Sequence, residues 1–106
     1  MLARVGGDRE LLAEISRLFV DDAPSHLDRI RTALDRRDGH MLRRAAHALK
    51  GAAANFDASG LVAAARKMED VGRAAQFDEE CETTWRMLTN ETDRLVATLR
   101  GLLASA

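Results

Sequence analysis

The sequence has one cysteine, one proline and no tyrosine, and three phenylalanines and one tryptophan are its aromatic side chains. The single cysteine, Cys81, excludes an intramolecular disulfide and is typical of a reducing compartment. Few aromatic and β-branched residues argue against a β-sheet. Abundant Ala, Leu, Arg and Glu favour helices. The composition therefore predicts an all-α protein.

An excess of charge of one sign is also missing. Sixteen basic and seventeen acidic residues give a formal net charge of −1, which removes the bulk electrostatic argument for binding nucleic acid or an anionic membrane surface. We find no apolar run of membrane-spanning length and no signal-peptide pattern. With 46% hydrophobic residues, residues 1–106 are expected to form one cytoplasmic domain with a single core.

Apolar residues recur at helical spacing in five segments. Asp8 is the expected N-cap of the first helix, and Pro24 is expected in the first turn of the second, where its missing N–H costs nothing. A kink at Pro24 in place of a break stays open. Gly39 is expected to end the second helix as a left-handed C-cap, and either Asp57 or Ser59 caps the fourth. The predicted helices lie at about 8–20, 24–37, 40–54, 58–75 and 79–103.

Helices joined by short turns pack as antiparallel neighbours. The last four predicted helices are therefore expected to form an up-down four-helix bundle, with the first as an additional N-terminal capping helix. The last helix carries an apolar seam, in which Cys81 and Trp85 are expected to be ordinary packing residues. Nothing in this seam requires a second copy, so we expect a monomer. The seam residues are Cys81, Trp85, Leu88, Thr92, Leu95, Leu99 and Leu102.

The third predicted helix carries a histidine on the side that faces water. Its apolar positions share the other side: Leu42, Ala45, Leu49, Ala52 and Phe56. At about 100° per residue, His47 falls opposite their centre. The neighbours of His47 one turn away are cations: Arg43, Arg44 and Lys50. A neutral imidazole can attack phosphorus, and nearby cations stabilise the added phosphoryl charge, so His47 is a candidate nucleophile.

Gly51 lies four residues after His47, and therefore on the same face of the helix. A glycine inside a helix costs about 1 kcal/mol relative to alanine, which this chain uses freely elsewhere. The missing side chain at Gly51 predicts that a partner approaches His47 closely.

The motif His47-Ala48-Leu49-Lys50-Gly51 resembles that of the histidine phosphotransfer (HPt) domains of bacterial phosphorelays. One departure is Asp57, which stands where that family usually has glycine. The likeness covers nearly the whole chain, and its other segments are Val5-Gly6-Gly7-Asp8, Leu18-Phe19, Ala52-Ala53-Ala54-Asn55-Phe56, Leu61 and Met68-Glu69-Asp70-Val71-Gly72-Arg73.

This resemblance implies that His47 accepts a phosphoryl group from the phospho-aspartate of one receiver domain and passes it to the aspartate of another. It assigns Lys50 to the phosphoryl oxygens and Gly51 to steric clearance. Glu69 matches a position whose side chain bonds the other imidazole nitrogen and so fixes the attacking tautomer. The implied receiver-docking surface comprises His40, Arg43, Arg44 and Ala54.

The expected partners are the receiver domains of response regulators. A free-standing carrier and the C-terminal part of a hybrid sensor kinase both stay open. We expect no cofactor and no metal site, because His40 and His47 share their strip with no Asp, Glu or Cys. The resemblance places Mg²⁺ on the receiver. A glycine-rich phosphate loop is missing, so we expect no autokinase activity and no enzyme.

Two other interpretations compete with a phosphoryl carrier. A helical module could dock receivers through the surface around His47 without being phosphorylated. A nucleic-acid binder would have to use Arg43, Arg44 and Lys50, and three cations are too small an electrostatic footprint to favour it. We expect no nucleic-acid partner and no direct membrane contact.

Overall fold

The computed structural model describes residues 8–105. Within that range the chain forms helices and connecting turns with no β-strand, which confirms the all-α prediction. The matched segment Val5-Gly6-Gly7 lies outside the described residues. The four helices are α1 (Arg9–Arg36), α2 (Gly39–Ala53), α3 (Ser59–Ala74) and α4 (Glu79–Ala104).

The first two predicted helices are one continuous helix, so the prediction of an additional N-terminal capping helix is wrong. α1 runs for 28 residues and contains Pro24. Pro24 lies on the exposed side, where water can bond to the carbonyl that a proline leaves without its helical partner. Phe19 and Ala23 before it and Ile30 after it are buried in the same core. Their burial on both sides outweighs the penalty of about 3 kcal/mol for a proline inside a helix.

Of the two capping residues predicted for α1, one is confirmed and the other is wrong. Asp8 caps α1 as predicted, because its side chain accepts a hydrogen bond from the Leu11 N–H at 2.9 Å. Gly39 is not the C-cap of α1. The left-handed residue there is Arg37, with φ 53°, because Asp38 takes the N-cap position of α2 and makes Gly39 its first helical residue.

The start of α3 also differs from the prediction. Neither Asp57 nor Ser59 is the N-cap: that position is Ala58, which makes no side-chain cap hydrogen bond, and Ser59 is the first helical residue. Asp57 lies exposed in the preceding turn. Among residues 8–105, the non-glycine residues with positive φ are Arg37 and Ala75. Asp57 therefore stands in place of the family's glycine without needing a left-handed backbone.

Each helix packs against two others, α1 and α3 both lying between α2 and α4. Arg31 near the end of α1 forms an ion pair with Glu82 near the start of α4, at 3.0 Å. Gly39 at the start of α2 meets Gly72 near the end of α3. Neighbouring helices are thus antiparallel, and the predicted up-down four-helix bundle is confirmed, with extents of 42 × 20 × 18 Å.

The core is filled from all four helices. Phe19 of α1 and Phe56 after α2 meet edge to face, with ring centroids 5.6 Å apart. Most of the α4 seam is buried, at Cys81, Leu88, Thr92, Leu95 and Leu99, whereas Trp85 is partly buried against the core and Leu102 is 37% exposed. Burial raises the pKa of the Cys81 thiol, in agreement with its prediction as a packing residue. None of the helices between residues 8 and 105 has the length and apolarity of a membrane span.

Candidate functional site

The site lies next to a close backbone contact between α2 and α3. A Cβ atom at Gly72 would lie 2.7 Å from the backbone N of Arg43 and 2.7 Å from the carbonyl O of Gly39. A Cβ atom at Gly39 would lie 2.6 Å from the carbonyl O of Gly72. Contacts this short are not tolerated, so both positions need glycine. The resulting contact of the two backbones brings the side chains of α3 within reach of those on α2.

His47 projects from the outer side of α2, and 70% of its side chain is exposed, as its helical position predicted. Its Nδ1 lies 2.9 Å from Oε2 of Glu69 on α3. An ionised carboxylate accepts hydrogen bonds and donates none, so in the neutral imidazole Nδ1 carries the hydrogen and donates it to Glu69. The lone pair of Nε2 is then free, which is the condition for this nitrogen to act as a nucleophile.

Glu69 is nearly enclosed, with 7% of its side chain exposed. While Oε2 faces His47, Oε1 lies 2.5 Å from Nζ of Lys50. Burial by itself would raise the pKa of Glu69, but the contacts with Lys50 and His47 outweigh burial and lower that pKa below its ordinary value. The carboxylate is therefore ionised at neutral pH and links His47 to Lys50.

An open groove of about 350 Å³ runs beside His47. It is lined by Arg43, Arg44, His47, Glu69 and Arg73. No role was predicted for Arg73 from the sequence. It follows Glu69 by four residues on α3, and this spacing is the signal that could have placed it on the same face. The three guanidinium groups make the groove suited to an anion such as a phosphoryl group.

The remaining predicted residues are exposed but lie at different places along α2. Gly51 is open, because a Cβ atom there would meet nothing within 4 Å. His40 lines a groove between α1 and α2, and Ala54 lines another beside the connection to α3. The structure thus brings Arg43 and Arg44 to His47 and leaves His40 and Ala54 toward the two ends of the helix. Across residues 8–105, no three His, Cys, Asp or Glu side chains are grouped to hold a metal ion.

The lowered pKa of Glu69 predicts how stability depends on pH. A carboxyl group whose pKa is lower in the folded state contributes stability above its unfolded-state pKa of about 4.3, and this stability is lost as the pH falls toward the folded-state value. Glu69→Gln is expected to be less stable than the wild type at pH 7, with a difference that shrinks below pH ~4.3.

Urea unfolding of both proteins at a series of pH values between neutral and acid measures this difference. Glu14→Gln, at an exposed position of α1, is the matched control and should leave the pH dependence as it is in the wild type. A difference between Glu69→Gln and wild type that is the same at every pH would contradict an ionised, ion-paired Glu69.

This chain is similar to known proteins in its sequence and in its fold. A family model described as the Hpt domain matches residues 14–104. A search of curated proteins finds no match. Among solved structures, histidine-containing phosphotransfer protein B (HptB) from Pseudomonas aeruginosa PAO1 is similar, with a TM-score of 0.82 and 20% sequence identity over 89% of this chain and 81% of that chain. At this identity the structural likeness shows a shared fold, while the family match spans every residue of the site.

Proposed function

Because this chain belongs to the Hpt domain family, the histidine phosphotransfer domains of phosphorelays, we propose that His47 is its phosphoryl acceptor and exchanges the group with receiver domains. One observation carries the proposal: an exposed imidazole has its Nδ1 held by a buried carboxylate and its Nε2 left free. An Hpt domain is a phosphotransfer carrier and not a catalytic kinase domain. A cytoplasmic location, expected from the sequence, is part of the proposal.

In the transfer step, the lone pair of His47 Nε2 attacks the phosphorus of a receiver's phospho-aspartate. An N–P bond forms, the P–O bond to the aspartate breaks, and the aspartate carboxylate leaves with the electron pair. The Nδ1 proton stays in its hydrogen bond to Glu69. The negative charge of Glu69 stabilises the positive charge that the ring gains. Transfer to the next receiver is the same step in reverse.

The surroundings of His47 supply charge and access. Arg43, Arg44 and Arg73 line the groove beside the ring and would stabilise the phosphoryl oxygens, since phosphoryl transfer depends mainly on alignment and electrostatics. Gly51 would leave space for the receiver's loops. The receiver would contribute Mg²⁺ and the aspartate, and its docking would extend along α2 toward His40 and Ala54. The proposal holds for a free-standing carrier and for the C-terminal part of a hybrid sensor kinase.

The test is phosphoryl uptake from a receiver domain charged with acetyl phosphate. Wild type, His47→Gln and His26→Gln are compared, His26 being a histidine of α1 outside the groove, and acid-labile, base-stable phosphate on this chain is scored. We expect uptake by the wild type and His26→Gln and none by His47→Gln. Uptake by His47→Gln would place the phosphoryl group elsewhere. Binding of receivers without uptake by the wild type would favour a docking module.

A further inference from the structure

The two long helices project beyond the two short ones at one end of the bundle. α1 and α4 have 28 and 26 residues, against 15 and 16 for α2 and α3. The α1–α2 and α3–α4 connections lie together at the other end, where Nη1 of Arg37 donates a hydrogen bond to the carbonyl O of Phe77. At 1.5 Å per residue, α1 and α4 therefore extend about 15–20 Å past the short helices.

Two contacts mark where the short helices stop covering the long ones. Phe19 of α1 meets Phe56 in the connection after α2, and Glu91 of α4 lies against Gly60 at the start of α3. Toward the free end from these contacts come residues 8–18 and 92–105, which we call the projecting pair. α2 and α3 thus end where the projecting pair begins.

Apolar side chains are exposed on one side of the projecting pair. Among residues 8–105, four large hydrophobic side chains are exposed, and three of them lie here: Leu18 at 60%, Leu11 at 41% and Leu102 at 37%. Leu11 lies two turns before Leu18, and Leu18 lies three turns before Arg29, which lines a groove beside α2. Leu102 lies three turns after Glu91, which lies against α3. The three leucines are therefore on the sides that α2 and α3 cover in the rest of the bundle.

The charge of the projecting pair indicates which kind of occupant suits this face. The pair has no net charge, because it contains as many acidic as basic side chains. A strongly charged protein or an anionic membrane would gain no electrostatic attraction here, whereas zero net charge removes the repulsion between two identical surfaces. The acidic residues are Asp8, Glu10, Glu14 and Asp93, and the basic residues are Arg9, Arg17, Arg94 and Arg100.

We propose that Leu11, Leu18 and Leu102 form a self-association face, on which a second copy of this chain packs its own projecting pair in antiparallel orientation. The projecting pair consists of two antiparallel helices with one apolar side, which is what α2 and α3 supply in the other half of the bundle. A two-fold axis between the copies lets each pair cover the other. In a parallel orientation, α2 and α3 of the two copies would occupy the same space.

The size of the face predicts a weak dimer. Two helices, each about 10 Å wide and about 15–20 Å long, give a footprint of about 300–400 Å² per copy. A stable interface buries about 800 Å² per partner, so the dimer should be reversible and depend on concentration. This departs from the monomer expected from the sequence. That expectation counted Leu102 in the intramolecular core, whereas the structure leaves this side chain exposed.

The site around His47 lies outside the self-association face, on α2 and α3. Its activity can therefore be followed separately with phosphoramidate, a small donor that needs no docking: its P–N bond breaks, ammonia leaves and the N–P bond to His47 forms. Uptake should be the same in the wild type and in variants of the face. A chain that dimerises but takes up no phosphate would refute the proposed function and leave the dimer standing.

Sedimentation equilibrium of the full chain between about 10 μM and about 1 mM measures its oligomeric state. Leu18→Gln and Leu102→Gln are compared with Met87→Gln, the matched control, because Met87 is 44% exposed on α4 before the projecting pair. Glutamine is nearly as good a helix former as leucine and methionine, and melting checks each fold. We expect the average mass of wild type and Met87→Gln to rise toward that of a dimer. Leu18→Gln should raise the dissociation constant on the order of tenfold.

Three results would overturn the proposal. The first is a wild-type chain that stays monomeric up to about 1 mM; if Leu2→Gln with Val5→Gln then dimerises, residues 1–7 are the occupant of the face. The second is a dimer that is equally stable in Leu18→Gln and in Met87→Gln. The third is a dimer that high salt dissociates, because a contact between charged surfaces is screened by salt and an apolar contact is not.

Discussion

Gly72→Ala is expected to lower the free energy of unfolding by about 1–3 kcal/mol, although alanine is the better helix former by about 1 kcal/mol. The added Cβ would lie 2.7 Å from two backbone atoms of α2, the N of Arg43 and the O of Gly39. Backbone atoms cannot rotate away as a flexible side chain can, so the helices must separate. Chemical denaturation with circular dichroism measures the change.

Separation of α2 and α3 should also reach the site. Glu69 lies one turn before Gly72 on α3, and its bond to His47 spans the two helices at 2.9 Å. A shift of a few tenths of an ångström lengthens that bond, so Gly72→Ala should weaken the Nδ1–H signature of His47 in the ¹⁵N spectrum of its ring and slow phosphoryl uptake. Gly101→Ala is the matched control, because it adds the same methyl group to α4 where nothing lies within 4 Å.

A double-mutant cycle sharpens the test. Gly39→Ala meets the carbonyl of Gly72 from the other side of the same contact, at 2.6 Å. Once one substitution has moved the helices apart, the second should lower the free energy of unfolding much less. The two losses in stability should therefore be clearly less than additive. Full additivity, or a Gly72→Ala protein as stable as the wild type, would contradict the close packing of α2 against α3.

Two predictions that rest on local sequence patterns are confirmed. The apolar spacing around Leu42 and Leu49 placed His47 on the exposed side, and the capping preference of Asp8 gave the start of α1 correctly. Pro24 shows where such reasoning fails. A proline in the sequence predicts the first turn of a new helix. In the structure a single helix continues past Pro24, because Phe19 and Ile30 on either side of it are buried in the same core. That burial depends on tertiary packing, which the local pattern does not contain.

The sequence predicted several residues of the site, but not all of the contacts between them. Glu69 was placed near His47 through the family resemblance, and the structure brings the two together at 2.9 Å. The contact of Lys50 with Glu69 was not predicted, because it depends on the register between α2 and α3. That register is fixed by Gly39 and Gly72, whose spacing from each other along the chain has no periodic signal.

Substitutions at Gly51 are expected to separate docking from chemistry. The position is exposed and a Cβ atom there meets nothing within 4 Å, so Gly51→Ala should raise stability by up to about 1 kcal/mol. If a receiver must approach His47 over this point, a larger side chain will hold it away. A misplacement of about 1 Å can lower a reaction rate on the order of 100-fold. We therefore expect the rate of transfer from a phosphorylated receiver to fall progressively from Gly51→Ala to Gly51→Leu, with a loss on the order of 100-fold for leucine.

Gly101 offers the matched control, since it is also a helical glycine with nothing within 4 Å of a Cβ atom and lies on α4. Gly101→Leu should leave receiver transfer as it is in the wild type. Phosphoramidate is small enough to reach Nε2 beside a leucine, so its uptake by Gly51→Leu should stay near the wild-type rate. A Gly51→Leu protein that takes up phosphate normally from receivers would show that Gly51 serves no docking purpose. Equal loss with both donors would mean that the substitution disturbs His47 itself.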